Sequence, residues 1–414
     1  MCYYIIYNDS IIFKPFDEEI IFPGSNLENK VFSADFNLES NGPIKFENNI
    51  DLICYYNIIG LEDEIRQTRI IYKNDSVFGM NPTTMSRNFL SLKFPIVNDE
   101  EKKIVIPKGS YTLNHIYIIP PQYVVNCEEG VTLDFKENGG LISYSALNFV
   151  GTTENPIYIT SSDSSGQGLC VINVDDNSII DYVMFNNLSN FDINQWTLTG
   201  AITFYESNVL ISNCVFSDNR VGDDLLNIVN SQFEIRESRF LNSHADAFDS
   251  DFCQGSITNC SFTNCGNDGI DISGTDLNLN NIVLSNVKDK GISAGERSQI
   301  VADSITITDS EIAVCSKDSS TINISHYKLQ HNTIGFTAFM KKTEFGPSKI
   351  IGIEGINDLT DIPYLVEINS VCIIDGVKIA SFGSGPHAIK MPKSVRITNR
   401  FISLMVLRGN TNLV

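Results

Sequence analysis

The chain has 414 residues, enough for a sizeable core, and carries 50 acidic against 29 basic side chains for a formal net charge of −21. That balance argues against nucleic acid as a partner, because phosphate binding needs a basic surface. It also repels a polyanionic substrate unless a cation or a local lysine cluster intervenes. No apolar run reaches the length of a membrane span, and Met1 to Tyr7 lacks the basic start and long apolar stretch of a secretory signal.

Residues 1–95 contain alternating strand-like runs at Tyr3–Tyr7, Ile11–Phe16, Ile50–Ile58 and Arg69–Lys73. They predict a small N-terminal β-rich domain or cap. Lys103–Tyr111 then reads as strand, turn, strand. Irregular strand-like segments follow at Val131–Phe135, Leu147–Phe149, Ile157–Ile159 and Val171–Val174.

From Gly200 to about Thr333 the chain repeats. Ile202, Leu226, Phe248, Ile270, Ile292, Val314 and Phe336 form one apolar column, with a first step of 24 residues and five of 22. Phe216, Phe240, Phe262, Leu284, Ile307 and Leu329 form a second at nearly the same period. Two apolar columns at one period predict a solenoid in which each coil stacks its core on the coil below. Strand-like composition at this period predicts an all-β fold, a right-handed parallel β-helix over residues 96–345. Residues 346–414 are expected to form terminal irregular coils and a cap, with strands near Tyr364–Ile368 and Val371–Ile374 and closure by Phe401–Val414.

Two residues past the second column stand Asp218, Asn242, Asn264, Asn286, Asp309 and His331. Asparagine tolerates left-handed backbone, so this column predicts a stacked structural turn. The ten cysteines show no CxxC pair, and Cys214 and Cys260 read as small buried hydrophobes.

The turn before the first column differs. Two residues ahead of it stand Gly200, Asp224, Asp246, Asp268, Lys290 and Ile312, and one residue after it stand Thr203, Asn227, Asp249, Asp271, Ser293 and Cys315. Strand side chains alternate, so the second set should form a row on the outer face, with Asp249 beside Asp271. Carboxylates about 4.8 Å apart repel one another unless a proton, a cation or a lysine compensates. A shared proton makes a general acid, and a shared calcium ion would sit on Asp249 and Asp271.

These residues carry a resemblance. The solenoid resembles the pectate-lyase-like superfamily, and three successive coils resemble the site of polygalacturonase-type glycoside hydrolases. That family's pattern is Asn-Thr-Asp, then Asp-Asp, then Gly-His-Gly. Here the corresponding segments are His244-Ala245-Asp246-Ala247-Phe248-Asp249, Asn267-Asp268-Gly269-Ile270-Asp271 and Asp289-Lys290-Gly291-Ile292-Ser293. The resemblance implies acid/base roles for Asp246 and Asp268, with Asp268 matching the general acid. Asn267 replaces one family aspartate and Lys290 the family histidine.

The expected function is therefore cleavage or modification of a polysaccharide or cell-surface glycan by stacked aspartates on one solenoid face. Catalytic candidates are Asp246, Asp268, Asp249, Asp271 and Lys290. Substrate-binding candidates are Asp224, Asn227, Asn267, Tyr205 and Lys317, with Trp196 a further aromatic. A hydrolase and a uronate lyase or epimerase both fit, the latter using a lysine base. A non-catalytic adhesion or glycan-binding protein is the alternative from another class. The fold favours an extracellular or cell-surface location.

Overall fold

The computed structural model describes residues 88–193, 196–342 and 344–381, together with the backbone of five strands between residues 2 and 71. The expected closure by Phe401–Val414 lies outside the described residues. The chain divides into two compact units, Met1–Asn81 and Pro82–Val414.

The first unit holds a five-stranded antiparallel sheet in the order Phe36–Glu39, Ile11–Pro15, Cys2–Tyr7, Asp51–Tyr56, Arg66–Ile71. Four of these strands lie on or beside the strand-like runs of the sequence. Phe36–Glu39 does not stand out there, because four residues are too short for alternation to show.

The second unit is a β-solenoid of about 12 turns with about 22 residues per coil, wound as a right-handed parallel β-helix, the hand that parallel crossovers favour. A representative coil has three strands, Asp224–Val229, Gln232–Arg236 and Arg239–Leu241. Each pairs in parallel with its counterpart one coil on, so three sheets run along the solenoid. We call them the first, second and third sheets. Parallel pairing continues past residue 345, where Lys349–Ile353 pairs with Val371–Ile374.

Short turns join the sheets, and each turns on a residue with positive φ. Between the first and second sheets these are Glu206, Asn230, Phe252, Gly274 and Glu296. After the third sheet they are Asp218, Asn242, Asn264, Asn286, Asp309 and His331, the column that the sequence marked as a structural turn. Asn242, Asn264 and Asn286 each donate from Nδ2 to the preceding member, at 2.9, 2.8 and 2.8 Å. A second ladder joins the other two sheets, where Asn259 donates to Glu237 and Asn281 to Asn259.

Inside, the apolar columns stack as the period requires. Phe185, Phe216, Phe240 and Phe262 lie ring on ring at 4.9, 4.8 and 4.6 Å. The eight described cysteines are free and buried. Burial pushes the Cys214 thiol up to about 12 and that of Cys260 to about 11, which makes them packing groups rather than nucleophiles.

Candidate functional site

The outer face of the first sheet carries a row that can be followed through eleven coils: Ile118, Ile142, Cys170, Thr203, Asn227, Asp249, Asp271, Ser293, Cys315, Thr337 and Leu365. Its middle is polar and its ends are mainly apolar. Phe191 packs over Ile118, Ile142 and Cys170 at one end. Phe339, Ile312, Ile334 and Ile362 pack with Cys315 and Leu365 at the other. The polar residues thus lie in a stretch closed at both ends by apolar clusters.

The expected register of Asp249 beside Asp271 is present. The row on this outer face is nevertheless largely shielded from solvent. Asn227 is only 3 % exposed and Ser293 is fully buried, while Asp249 and Asp271 are partly open. The end clusters wall the row, and the Lys317 side chain reaches over it. The Lys317 side chain runs over Gly295, its Cε in ordinary van der Waals range of where a Cβ would stand. Lys317 thereby reaches Asp271 Oδ1 at 3.6 Å and is itself buried.

The corner row behind it holds Asp224, Asp246, Asp268 and Lys290. Asp224 and Asp246 are register partners. Asp246 Oδ1 accepts from the Asp268 backbone N–H and from Asn267 Nδ2, both at 2.7 Å. Asp268 Oδ1 accepts from the Lys290 backbone N–H at 2.9 Å and from its Nζ at 3.2 Å. Lys290 also pairs with Asp289. Asp246 and Asp268 are 6 % and 1 % exposed, so they form the floor of the site, while the Asp271 side chain is 26 % exposed above them.

Burial and neighbouring carboxylates set the protonation states. Burial, with the Asp268 charge next, lifts Asp246 from 3.8 to about 8. Burial, followed by repulsion from Asp223 and Asp251, lifts Asp224 to about 7. Asp249 rises well above the usual carboxylate range, again through burial and then Asp224 and Asp251. Asp268 rises less, to about 6, because Lys290 opposes the burial cost. Lys290 and Lys317 both move upward, since their aspartates outweigh burial. They remain ammonium ions at neutral pH.

Oxygens of Asp246, Asp268 and Asp271 come within 4.8 Å of one another, the spacing a metal ion would need. Asp249 is outside this group. Its Oδ2 accepts from Asn227 on the preceding coil at 2.7 Å, whereas Asp271 faces Lys317 two coils on. The two expected calcium ligands are therefore register neighbours drawn in opposite directions. Lys290 and Lys317 already supply positive charge to two of the three grouped carboxylates. Asp224 Oδ2, Asp271 Oδ1 and Ser293 Oγ are buried without a hydrogen bond, so the site keeps unspent polar capacity.

Tyr205 is 41 % exposed and stands in a third row after Ile172, followed by Val229, Asp251 and Ser273. Trp196 instead tilts against Phe191 at 5.9 Å and helps cover the apolar end. Two features escaped the sequence reading: the closure of the row at both ends, and the exposed Phe252 beside Asp251.

Fold and site together define a parallel β-helix with an enclosed acidic patch on one sheet. No protein-family model matches the sequence, and no curated protein does. Among solved structures, an alginate lyase from Paenibacillus sp. matches with TM-score 0.32 and 13% identity, covering 59% of this chain and 91% of its own. The periplasmic alginate epimerase AlgG matches with TM-score 0.35 and 10% identity, covering 76% and 100%. The catalytic domain of a GH87 alpha-1,3-glucanase matches with TM-score 0.31 and 12% identity, covering 67% and 64%.

Proposed function

We propose that this protein is a carbohydrate-active enzyme that cleaves a polysaccharide by acid/base chemistry at Asp249 and Asp271. The observation that carries the reading is the contrast between these neighbours. Asp249 accepts from the neutral Asn227 amide and is raised well above the usual carboxylate range by burial, while Asp271 has Lys317 at 3.6 Å. Adjacent carboxyl groups with divergent environments take different roles, here one as acid and one as nucleophile.

In this reading Asp249 gives its proton to the glycosidic oxygen as the bond to the anomeric carbon breaks. Asp271, as carboxylate, attacks that carbon and is later released by water, with Asp249 taking the water's proton. Adjacent rungs lie about 4.8 Å apart, nearer the ~5–5.5 Å of retaining enzymes than the ~6.5–9.5 Å of inverting ones. Asp246 and Asp268 support Asp271 from beneath, Asp246 storing a proton and Asp268 anchoring Lys290. This exchanges the emphasis that the polygalacturonase resemblance implies, because the matched residues are the buried pair. A lysine base for lyase or epimerase chemistry is disfavoured, as both lysines are held protonated.

The test is product release from neutral polysaccharides and polyuronates. Asp249→Asn and Asp271→Asn should each lower turnover on the order of 10²–10⁴-fold. Chelation should leave it unchanged. Wild-type turnover that survives both substitutions would sink the assignment, and turnover abolished by chelator and restored by calcium would move the chemistry to a metal on Asp246, Asp268 and Asp271.

A further inference from the structure

The second sheet carries a feature that the acidic patch does not use. A cleft of about 330 Å³ opens on its outer face, at the lower end of the range for small-ligand pockets. Its floor is low at Ser256, whose short side chain stands in the outward row where neighbouring coils carry Glu234 and Asn278. Its walls are mostly amides. Asn208 lies beside Gln232, whose backbone N–H donates to Asn208 Oδ1 at 2.8 Å. Gln232 pairs in register with Gln254, and Ser256 with Asn278.

The chemistry of this lining is specific. Each primary amide offers two donors and an acceptor, which matches the hydroxyl groups of a neutral sugar. Glu234 is the one lining carboxylate, and Arg236 already pairs with it at 3.3 Å. The lining includes no cation, so it offers a uronate or phosphate no countercharge and favours a neutral ligand. Successive amides stand one coil apart, roughly 4.8 Å, close to the length of one sugar unit.

An independent observation lies on the adjoining turn. Phe252, 57 % exposed, occupies the turn between Asp251 and Gln254 with φ of 56°. Left-handed backbone is costly for a bulky aromatic, and the equivalent residues on adjoining coils are Glu206, Asn230, Gly274 and Glu296. Its ring lies on Gly274, where a Cβ would approach to 2.7 Å. Strain kept at an exposed position points to use of the side chain, and an exposed ring two residues before Gln254 in the chain offers a platform for the apolar face of a sugar.

We propose that the amide cleft with Phe252 is a binding site for a neutral oligosaccharide, separate from the acidic patch and independent of its chemistry. The test is calorimetric titration of the full chain with maltohexaose, cellohexaose and laminarihexaose, with polygalacturonate as the charged probe. At least one neutral probe should bind. Gln254→Ala and Phe252→Asn should each weaken it roughly tenfold, a loss of about 1.4 kcal/mol, while Asp271→Asn leaves it in place. Asparagine suits the left-handed turn, so Phe252→Asn should melt no lower than wild type. Absence of neutral binding, binding insensitive to both cleft variants, or binding lost with Asp271→Asn would each overturn the proposal. Neutral binding without any turnover would uphold it and defeat the enzymatic reading, and turnover with cleft-insensitive binding would do the reverse.

Discussion

Lys290 sits 3.2 Å from Asp268, whereas Asp246, one rung earlier, is held among the described residues by hydrogen bonds from Asn267 and the Asp268 backbone. The two buried aspartates should therefore respond oppositely to the same substitution. Asp268→Asn takes one of two carboxylate partners from a buried ammonium, Asp289 remaining, and should destabilise the fold by about 1–3 kcal/mol. Asp246→Asn removes a group that must stay protonated or repel its neighbours, so it should be neutral or stabilising at pH 8. Thermal melts of both variants check this, and equal destabilisation by the two would contradict it. The sequence marked both positions through their column, but it could not rank them. Rank comes from which side chain Lys290 reaches, and side-chain reach is not written in a period. Phe252 was hidden for a related reason: a lone phenylalanine in a strand-rich stretch reads as core until its φ and exposure are known.

At the level of elements, the turn columns hold the coils in register. Asn264 both donates to Asn242 and accepts from Asn286, at φ of 59°. Asn264→Ala loses the ladder bond and places a Cβ residue in left-handed backbone without compensation, so it should cost about 1–3 kcal/mol. In the other ladder column Ser304 follows Asn281 with φ of 59°. Ser304→Asn should be stabilising by a few tenths to about 1 kcal/mol, and denaturant midpoints of the two variants are the measurement. A fall in midpoint for Ser304→Asn would count against the ladder account. The Asp218–His331 column was legible because amides and aspartates recur at one spacing. The column through Glu237, Asn259, Asn281, Ser304 and His326 was not, because its residue types are mixed and only the shared positive φ unites them. The closed ends of the acidic row were illegible for a different reason. From Ile118 through Ile142 and Cys170 to Thr203 the spacing runs 24, 28 and 33 residues, so insertions conceal a row that the sheet keeps continuous.

For the solenoid unit as a whole, ends and charge are the two general problems. An open coil exposes unpaired strand edges. Here Ile96–Asn98 adds antiparallel to Lys103–Ile106, and Val377–Lys378 adds antiparallel to Val371–Ile374. Asn88 bonds the edge backbone through Ile116 O and the Ile118 N–H, and Phe89 is buried in the core. Charge sets the pH response. Asp224, Asp246, Asp249 and Asp268 all have folded pKa values above the ordinary 3.8. The folded protein therefore keeps protons that the unfolded chain releases, and stability must fall as pH rises from about 4 to about 8. His326, raised chiefly by its hydrogen bond to Asp303, acts in the same direction. Asp303, held down to about 2 by Ser325 and His326, titrates below that window. Tm should be several degrees higher at pH 5 than at pH 8, and combining Asp224→Asn with Asp246→Asn should flatten the slope. The measurement that tests the central claim most directly is product release from a polysaccharide panel by wild type, Asp249→Asn and Asp271→Asn at matched folding. Release by wild type that falls at least about a hundredfold in both variants is the predicted result, and release undiminished in both would contradict the account.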